Sequence, residues 1–222
     1  MRFFLIIGTT VLLAFSQAQP AQEQASETRG MPARATPADY QAHADAGKVT
    51  VGAEFFQHTV PSPDGLLTTE DYVVVEAGLF GPPGTRTTLS FQDFSLRING
   101  KKNAQPSEPY AVIFKSLKDP EWEPPEPAGG DSKAGKTSIG SGSGSKGLST
   151  GGNDPPPVIH PPIKLQREWE SRVKKQAFPE GDRALPQAGL LFFVYRGKAS
   201  GIHSLELTYS GPGGKATLTL QP

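Results

Sequence analysis

Between residues 91 and 101 apolar and polar side chains take turns. Phe94, Leu96 and Ile98 interleave with Ser95, Arg97 and Asn99. Successive strand side chains point to opposite faces, so one face is apolar and the other wet, which predicts a half-buried strand. Asn99-Gly100 follows at once, and both residues tolerate the positive φ of a tight type I′ turn. The strand is therefore expected to fold back through Lys101 and Lys102 as a β-hairpin. Tyr72 to Phe80 is the most continuous β-branched run and predicts a central strand, closed by Gly81-Pro82-Pro83-Gly84.

The same reading organises the rest of the chain. Val49, Val51, Ala53 and Phe55 share one parity while Phe56, His58 and Val60 take the other. This predicts a strand whose buried face switches at a bulge or bend near Phe55. Pro61 to Gly65 is turn chemistry, a brief pairing is expected over Thr87 to Phe91, and Tyr110 to Leu117 fits either a strand or a helical turn. Leu165, Trp169, Val173 and Ala177 recur at helical spacing, with Glu168/Arg172 and Glu170/Lys174 as i,i+4 ion pairs, so an amphipathic helix is predicted, stopped by Phe178-Pro179-Glu180-Gly181. Leu190 to Tyr195, Ile202 to Tyr209 and Lys215 to Gln221 predict a closing three-stranded meander.

Seven or so short strands with one or two short helices imply an all-β fold, an antiparallel immunoglobulin-like β-sandwich over residues 48–222. Residues 120–162 interrupt it. Glu121, Trp122, Glu123, Pro124, Pro125, Glu126 and Pro127 form an acidic proline-rich arm, Gly and Ser dominate to Gly152, and Pro155 to Pro157 and Pro161-Pro162 return to extended proline, which reads as one long disordered insertion. Such a loop is cheap. Closure entropy rises about 0.6 kcal/mol per doubling of length. At the other end, residues 19–47 read as a disordered segment with a short helix starting at Thr36-Pro37 and running to Ala46.

Composition then narrows the setting. Met1-Arg2 precedes an apolar run from Phe3 to Phe15, and Ser16-Gln17-Ala18 supplies small residues, which predicts a signal peptide over residues 1–18. A membrane anchor is the rival reading, but a helix over that run reaches only about 20 Å against a hydrocarbon core of roughly 30 Å. No later stretch is apolar enough to span a membrane, so a secreted or periplasmic product is expected. Lys+Arg and Asp+Glu are equal at 22 each, a balance that gives no pull towards nucleic acid. There is no cysteine, hence neither a disulfide framework nor a lipid-bearing cysteine, and no glycosylation acceptor, which fits bacterial export.

Tyr72 to Ala77, Asp93 to Leu96 leading into Asn99-Gly100-Lys101, Leu185-Pro186 before Leu190 to Val194, and Leu205 to Tyr209 together resemble a bacterial group. It is that of the exported immunoglobulin-like domains of unknown function, often lipoproteins, whose sandwich is shared with a mycobacterial secreted antigen. The resemblance implies an extracellular or periplasmic binding or structural domain with no established catalytic residues and no cofactor. Two departures stand out: no lipobox cysteine is present, and the arm is larger than such a domain needs.

Several motifs look catalytic. Gly130 to Thr137 fits the phosphate-loop pattern G-x-x-x-x-G-K-T, yet proline-rich sequence precedes it and Gly and Ser follow, where the chemistry needs a strand and a helix. Gly147 to Gly151 matches G-x-S-x-G without the strand-to-helix elbow, and Ser171 to Lys174 matches S-x-x-K without partner motifs. His43, His58, His160 and His203 lack metal-ligand spacing, and His58 reads as a packed or edge-strand imidazole. Glu70-Asp71 and Glu121/Glu123/Glu126 read as solvated acidic surface.

Trp122 is the outlier, a large aromatic among acids and prolines. It either pins the arm to the body or anchors a partner, and it is the one candidate contact residue. Trp169 reads as helix-to-sheet core. The leading expectation is a non-enzymatic binding or structural module of the cell envelope whose partner is an envelope protein or polysaccharide. One rival is an envelope hydrolase assembled from His203, Glu76 and Asp93, and another is a small-molecule carrier with an apolar mouth between the sheets.

Overall fold

The computed structural model describes residues 29–125 and 160–222. Among these the strands are β1 (Ala42–Asp45), β2 (Thr50–Phe55), β3 (Thr59–Val60), β4 (Leu67–Thr69), β5 (Tyr72–Phe80), β6 (Arg86–Leu89), β7 (Phe94–Ile98), β8 (Gln105–Pro106), β9 (Leu117–Lys118), β10 (Gly181–Ala184), β11 (Gln187–Val194), β12 (Leu205–Gly211) and β13 (Gly214–Leu220), with helix α1 (Ile163–Gln176) between β9 and β10. Every ladder is antiparallel, and the fold is all-β. Two four-stranded sheets, ordered β1-β2-β5-β11 and β13-β12-β7-β8, share one cluster of buried side chains.

That inner cluster follows from alternation. Val73, Val75, Ala77 and Leu79 on β5 and Leu191 and Phe193 on β11 meet Phe94, Leu96 and Ile98 on β7 and Leu205, Leu207 and Tyr209 on β12. Each large aliphatic side chain buried there contributes about 1.5–3 kcal/mol. The other parity of β5 and β11 is buried as well. Val74, Leu190 and Phe192 join Trp169, Val173 and Ala177 in a second cluster on the outer face of the first sheet, completed by Val60, Leu67, Ile113 and Leu117. Burial on both faces is why β5 shows no polar alternation.

Two of the places where the chain passes between the clusters have a visible local cause. Phe56 donates its N–H to Val74 O at 2.9 Å and Gln57 O accepts from Val74 N at 2.7 Å, so two residues oppose one, a β-bulge with Gln57 at φ 56°. The expected switch of face is therefore present: Phe55 sits in the inner cluster and Val60 in the outer. After α1, Ala177 packs outside while Phe178 turns inward, its ring 5.1 Å from Phe94. The crossing presses on β11, where a Cβ on Gly189 would lie 2.4 Å from Phe178 Cα.

The central hairpin has the turn that was expected. Asn99 and Gly100 take φ of 55° and 64°. Pairing resumes later than predicted, with Leu96 opposite Gln105 and Ser95 opposite Pro106 rather than at Lys101 and Lys102. The closing strands are not a meander. β11 pairs with β5 in the first sheet, and only β12 and β13 form a hairpin in the second, because β11 carries apolar residues on both faces and needs a covered position. Of the pairing expected over Thr87 to Phe91, Thr87 to Leu89 is found, as part of β6 beside β10, while Phe91 opens a 3-10 turn. Tyr110 to Ser116 is a 3-10 segment with Ile113 and Ser116 buried.

The N-terminal segment also differs from expectation. Residues 19–28 lie outside the described part, whereas residues 29–47 are placed against the first sheet: Met31 N donates to Ala188 O at 2.8 Å. The helix expected from Thr36 to Ala46 is a single 3-10 turn over Pro37–Asp39, in which Asp39 accepts from Thr36 N at 2.8 Å. Ala42–Asp45 is instead taken by strand β1, whose pairing with β2 satisfies backbone groups of both segments. Residues 1–18 and the Gly/Ser tract within 126–159 lie outside the described residues.

Candidate functional site

A cleft of about 500 Å³ opens where the roots of the 120–162 insertion meet the outer layer. Three pieces of chain build it. From the 3-10 segment and β9 come Phe114, Lys115, Leu117 and Lys118; from the start of the arm come Asp119 and Trp122; from its end and from α1 come His160, Pro161, Gln166, Trp169 and Glu170. Residues three and four apart share a helix face, which is how Gln166, Trp169 and Glu170 reach one wall.

Local chemistry positions each part. Asp119 accepts from Glu121 N at 2.9 Å through its carboxylate and from Trp122 N at 3.2 Å through its carbonyl, and this turn folds the half-buried Trp122 back onto the outer cluster. Pro162 precedes the helix at φ −54°, ψ 143°, and its carbonyl accepts the first helical bond from Gln166 N at 3.1 Å. The Gln166 amide donates to Pro161 O at 2.6 Å. Trp169 is 3% exposed, yet among the described residues its indole N–H meets no acceptor. The rim carries both signs, Lys115 and Lys118 against Asp119 and Glu170, and Lys118 is already paired with Glu70.

A second polar cluster lies on the same sheet beneath the N-terminal segment. Glu54 and Glu76 are cross-strand partners on β2 and β5, and Arg34 bridges both carboxylates, at 2.8 Å to Glu76. Burial works against the charged guanidinium, but Glu76 and Glu54 outweigh it and raise its pKa. The Arg34 guanidinium also sits 4.5 Å from the centre of the Tyr40 ring. Burial, opposed by the Arg34 backbone N–H and reinforced by Glu76, pushes the Tyr40 phenol up to about 12. With both carboxylates held by one cation, this cluster is a clamp.

The residues named from sequence scatter. Trp122 lines the cleft, and Trp169 is helix-to-sheet core as expected while lining it too. Glu76 faces outward under Arg34, Asp93 lies at the head of β7, and His203 lies beyond the opposite end of β7 and β12, where its backbone N–H bonds Asn99. Five residues of strand separate those last two, roughly 15 Å at about 3.3 Å each, so the hydrolase trio does not converge. Burial holds the Asp93 carboxyl above its ordinary value. A carrier mouth between the sheets is occupied by Phe94, Phe178, Phe193 and Tyr209.

The remaining candidates are structural or lie elsewhere. His58 sets Nδ1 2.7 Å from Tyr72 O and Nε2 2.9 Å from Gly197 O, tying the β11–β12 connection to β5. His43 is exposed on β1, and Ser171 is exposed on α1 beside Arg172, which pairs with Glu168. Glu70 and Asp71 pair with Lys118 and Arg196, and Glu121 and Glu123 are exposed. Gly130 to Thr137, Gly147 to Gly151 and Glu126 lie outside the described residues. Among the described residues no group of three or more acidic, histidine or cysteine side chains is placed to hold a metal ion, and no helix is long and apolar enough to cross a membrane. Sequence reasoning missed Phe114, Gln166 and Glu170; the helical spacing of 166, 169 and 170 was the available signal for the last two. No family model, curated protein or solved structure matches this chain.

Proposed function

We propose that the chain is an exported, non-enzymatic binding module of the bacterial cell envelope, built on an immunoglobulin-like sandwich, and that it binds through the cleft between Trp122 and α1. The observation that carries this is the convergence of Trp122 and Trp169, the only two tryptophans in the sequence, on one concave site. Its volume of about 500 Å³ lies in the range of ligand pockets, and aromatic walls with a few polar groups are what such pockets use. Export is supported by the leader pattern of residues 1–18, and the immunoglobulin relation by the strand and turn positions that carry the resemblance.

The test is sedimentation of the full chain with isolated bacterial envelope material, beside its Trp122→Ala variant. The wild type is expected to sediment with the envelope, and the variant to lose most of that retention while keeping its far-ultraviolet circular dichroism and melting temperature. Equal retention of the two, or none by the wild type, overturns the reading.

A further inference from the structure

We propose that His58 is a proton-dependent latch: as imidazolium it holds the β11–β12 connection, residues 195–204, against β5, and as neutral imidazole it releases the middle of that connection. The inference goes beyond the cleft and does not rest on it. Nδ1 of His58 lies 2.7 Å from Tyr72 O and Nε2 lies 2.9 Å from Gly197 O. A carbonyl oxygen only accepts. Neutral imidazole has one N–H and one lone pair, so it can satisfy one of these carbonyls and must turn a lone pair on the other. Imidazolium, with an N–H on each nitrogen, satisfies both, and bonds donated by a charged ring are the stronger kind.

The fold fixes the ring and leaves the middle of the connection to it. His58 follows the bulge at Phe56 and Gln57, and its own carbonyl accepts from Thr69 N at 2.9 Å, so its backbone is held from both sides. The connection is pinned at its ends by bonds that carry no titrating group. Tyr195 N donates to Asp71 O at 2.8 Å, and the Asn99 side chain bonds Gly201 O and His203 N, both at 2.7 Å. Between these ends Arg196, Gly197 and Lys198 are exposed, and His58 meets the Gly197 carbonyl. When the ring loses a proton, the bond to Tyr72 O is the one kept, because it is shorter and partly buried, whereas Gly197 O is exposed and can turn to water.

The surroundings favour the charged ring without adding a second switch. The Tyr195 ring is centred 6.0 Å from that of His58 and tilted by 31°, at the outer limit of the distance over which an aromatic face attracts a cation. The charged and titratable groups on the neighbouring elements are Glu70, Asp71 and Tyr72 at the start of β5, Lys118 on β9, and Tyr195, Arg196 and Lys198 in the connection. Glu70 is paired with Lys118 and Asp71 with Arg196, so each carboxylate has its own cation. His203 is the other histidine of the connection, beyond the Asn99 bonds, and serves as the control. The sign follows: acid closes the connection, and rising pH loosens it.

The test is amide hydrogen exchange of the full chain at about pH 5 and about pH 8, the range in which imidazole changes charge, with rates corrected for base catalysis. Gly201 N and Ile202 N, bonded to Lys198 O and Ala199 O, report the order of the connection. Their protection is expected to be about tenfold lower at the higher pH, the loss of one charge-assisted bond. His58→Gln, whose amide stays neutral, is expected to show the same protection at both pH values, and His203→Gln to respond as the wild type does. Nitrogen-15 spectra of the wild-type His58 ring give a readout that needs no variant: protons on both nitrogens in acid, and on Nδ1 alone once the ring is neutral. Flat protection in the wild type, a response that survives His58→Gln or vanishes in His203→Gln, or a neutral ring protonated on Nε2 overturns the proposal.

Discussion

Gly52 stands directly opposite Gly78 across the β2–β5 ladder, and the Tyr40 ring lies over the pair. A Cβ on Gly78 would fall 2.5 Å from the Tyr40 hydroxyl, and one on Gly52 would fall 2.6 Å from ring carbon Cδ2. The two glycines are thus a floor on which the N-terminal segment rests its aromatic ring. Two residues along the ladder Glu54 faces Glu76, and there Arg34 takes the place of the ring. Gly78→Ala is expected to lift Tyr40 and cost about 1–3 kcal/mol, the usual penalty for overpacking a filled site. A lowered urea midpoint with an unchanged slope checks this, and Gly84→Ala, where nothing lies within 4 Å but φ is 81°, separates packing from backbone strain.

Arg34 is the only cation within salt-bridge reach of Glu76 among the described residues, and Glu76 is 3% exposed on a central strand. Removing the cation leaves a buried carboxylate uncompensated. Arg34→Ala is therefore expected to destabilise by about 2–4 kcal/mol, and adding Glu76→Leu to recover part of the loss, since a buried pair replaced by apolar groups is often neutral. Chemical denaturation of the two singles and the double gives the coupling directly. A coupling near zero means the guanidinium packs on Tyr40 and does not neutralise Glu76.

The phenol of Tyr40 provides a pH dependence with a definite sign. Its pKa is pushed up to about 12 in the folded chain, chiefly by burial, against an ordinary value near 10. A raised pKa means that the folded state prefers the protonated form. The associated stability is present in full below about pH 10 and is lost as the pH climbs towards about 12. Denaturation midpoints measured across that window are expected to fall in the wild type and to fall less in Tyr40→Phe. Equal slopes in the two proteins reject the assignment.

How much was legible in the sequence depended on whether a signal was local. Phe94 to Gly100 announced its strand and its turn because alternation and the Asn-Gly pair are properties of neighbouring residues. The parity change at Phe55 announced the bulge for the same reason. What failed was anything decided by partners far along the chain. β11 reads like the first strand of a meander, yet it lies beside β5 more than a hundred residues earlier, because only there are both of its apolar faces covered. The 36–46 segment has a sound helix start at Thr36, but pairing with β2 overrides it. In the cleft, Trp122 was visible as an aromatic out of place, while Phe114 and Gln166 passed for ordinary members of their segments.

The Asn99-Gly100 turn also carries a load its composition does not reveal. Asn99 takes φ 55°, a conformation Asn tolerates better than most residues, and its side chain spans to the β11–β12 connection. Oδ1 accepts from His203 N at 2.7 Å and Ser204 N at 3.3 Å, and Nδ2 donates to Gly201 O at 2.7 Å. Asn99→Gly keeps the turn and removes those bonds, whereas Asn99→Ala adds the strain of a Cβ at positive φ. Hydrogen bonds of this kind are worth about 0.5–1.5 kcal/mol each, so the glycine variant is expected to lose roughly 1–3 kcal/mol and the alanine variant about 1 kcal/mol more. Hydrogen exchange at the amides of His203 and Ser204 is expected to quicken in both, before any global loss of protection. If those amides exchange as in the wild type while stability falls, the cost lies in the turn and the span to His203 contributes nothing.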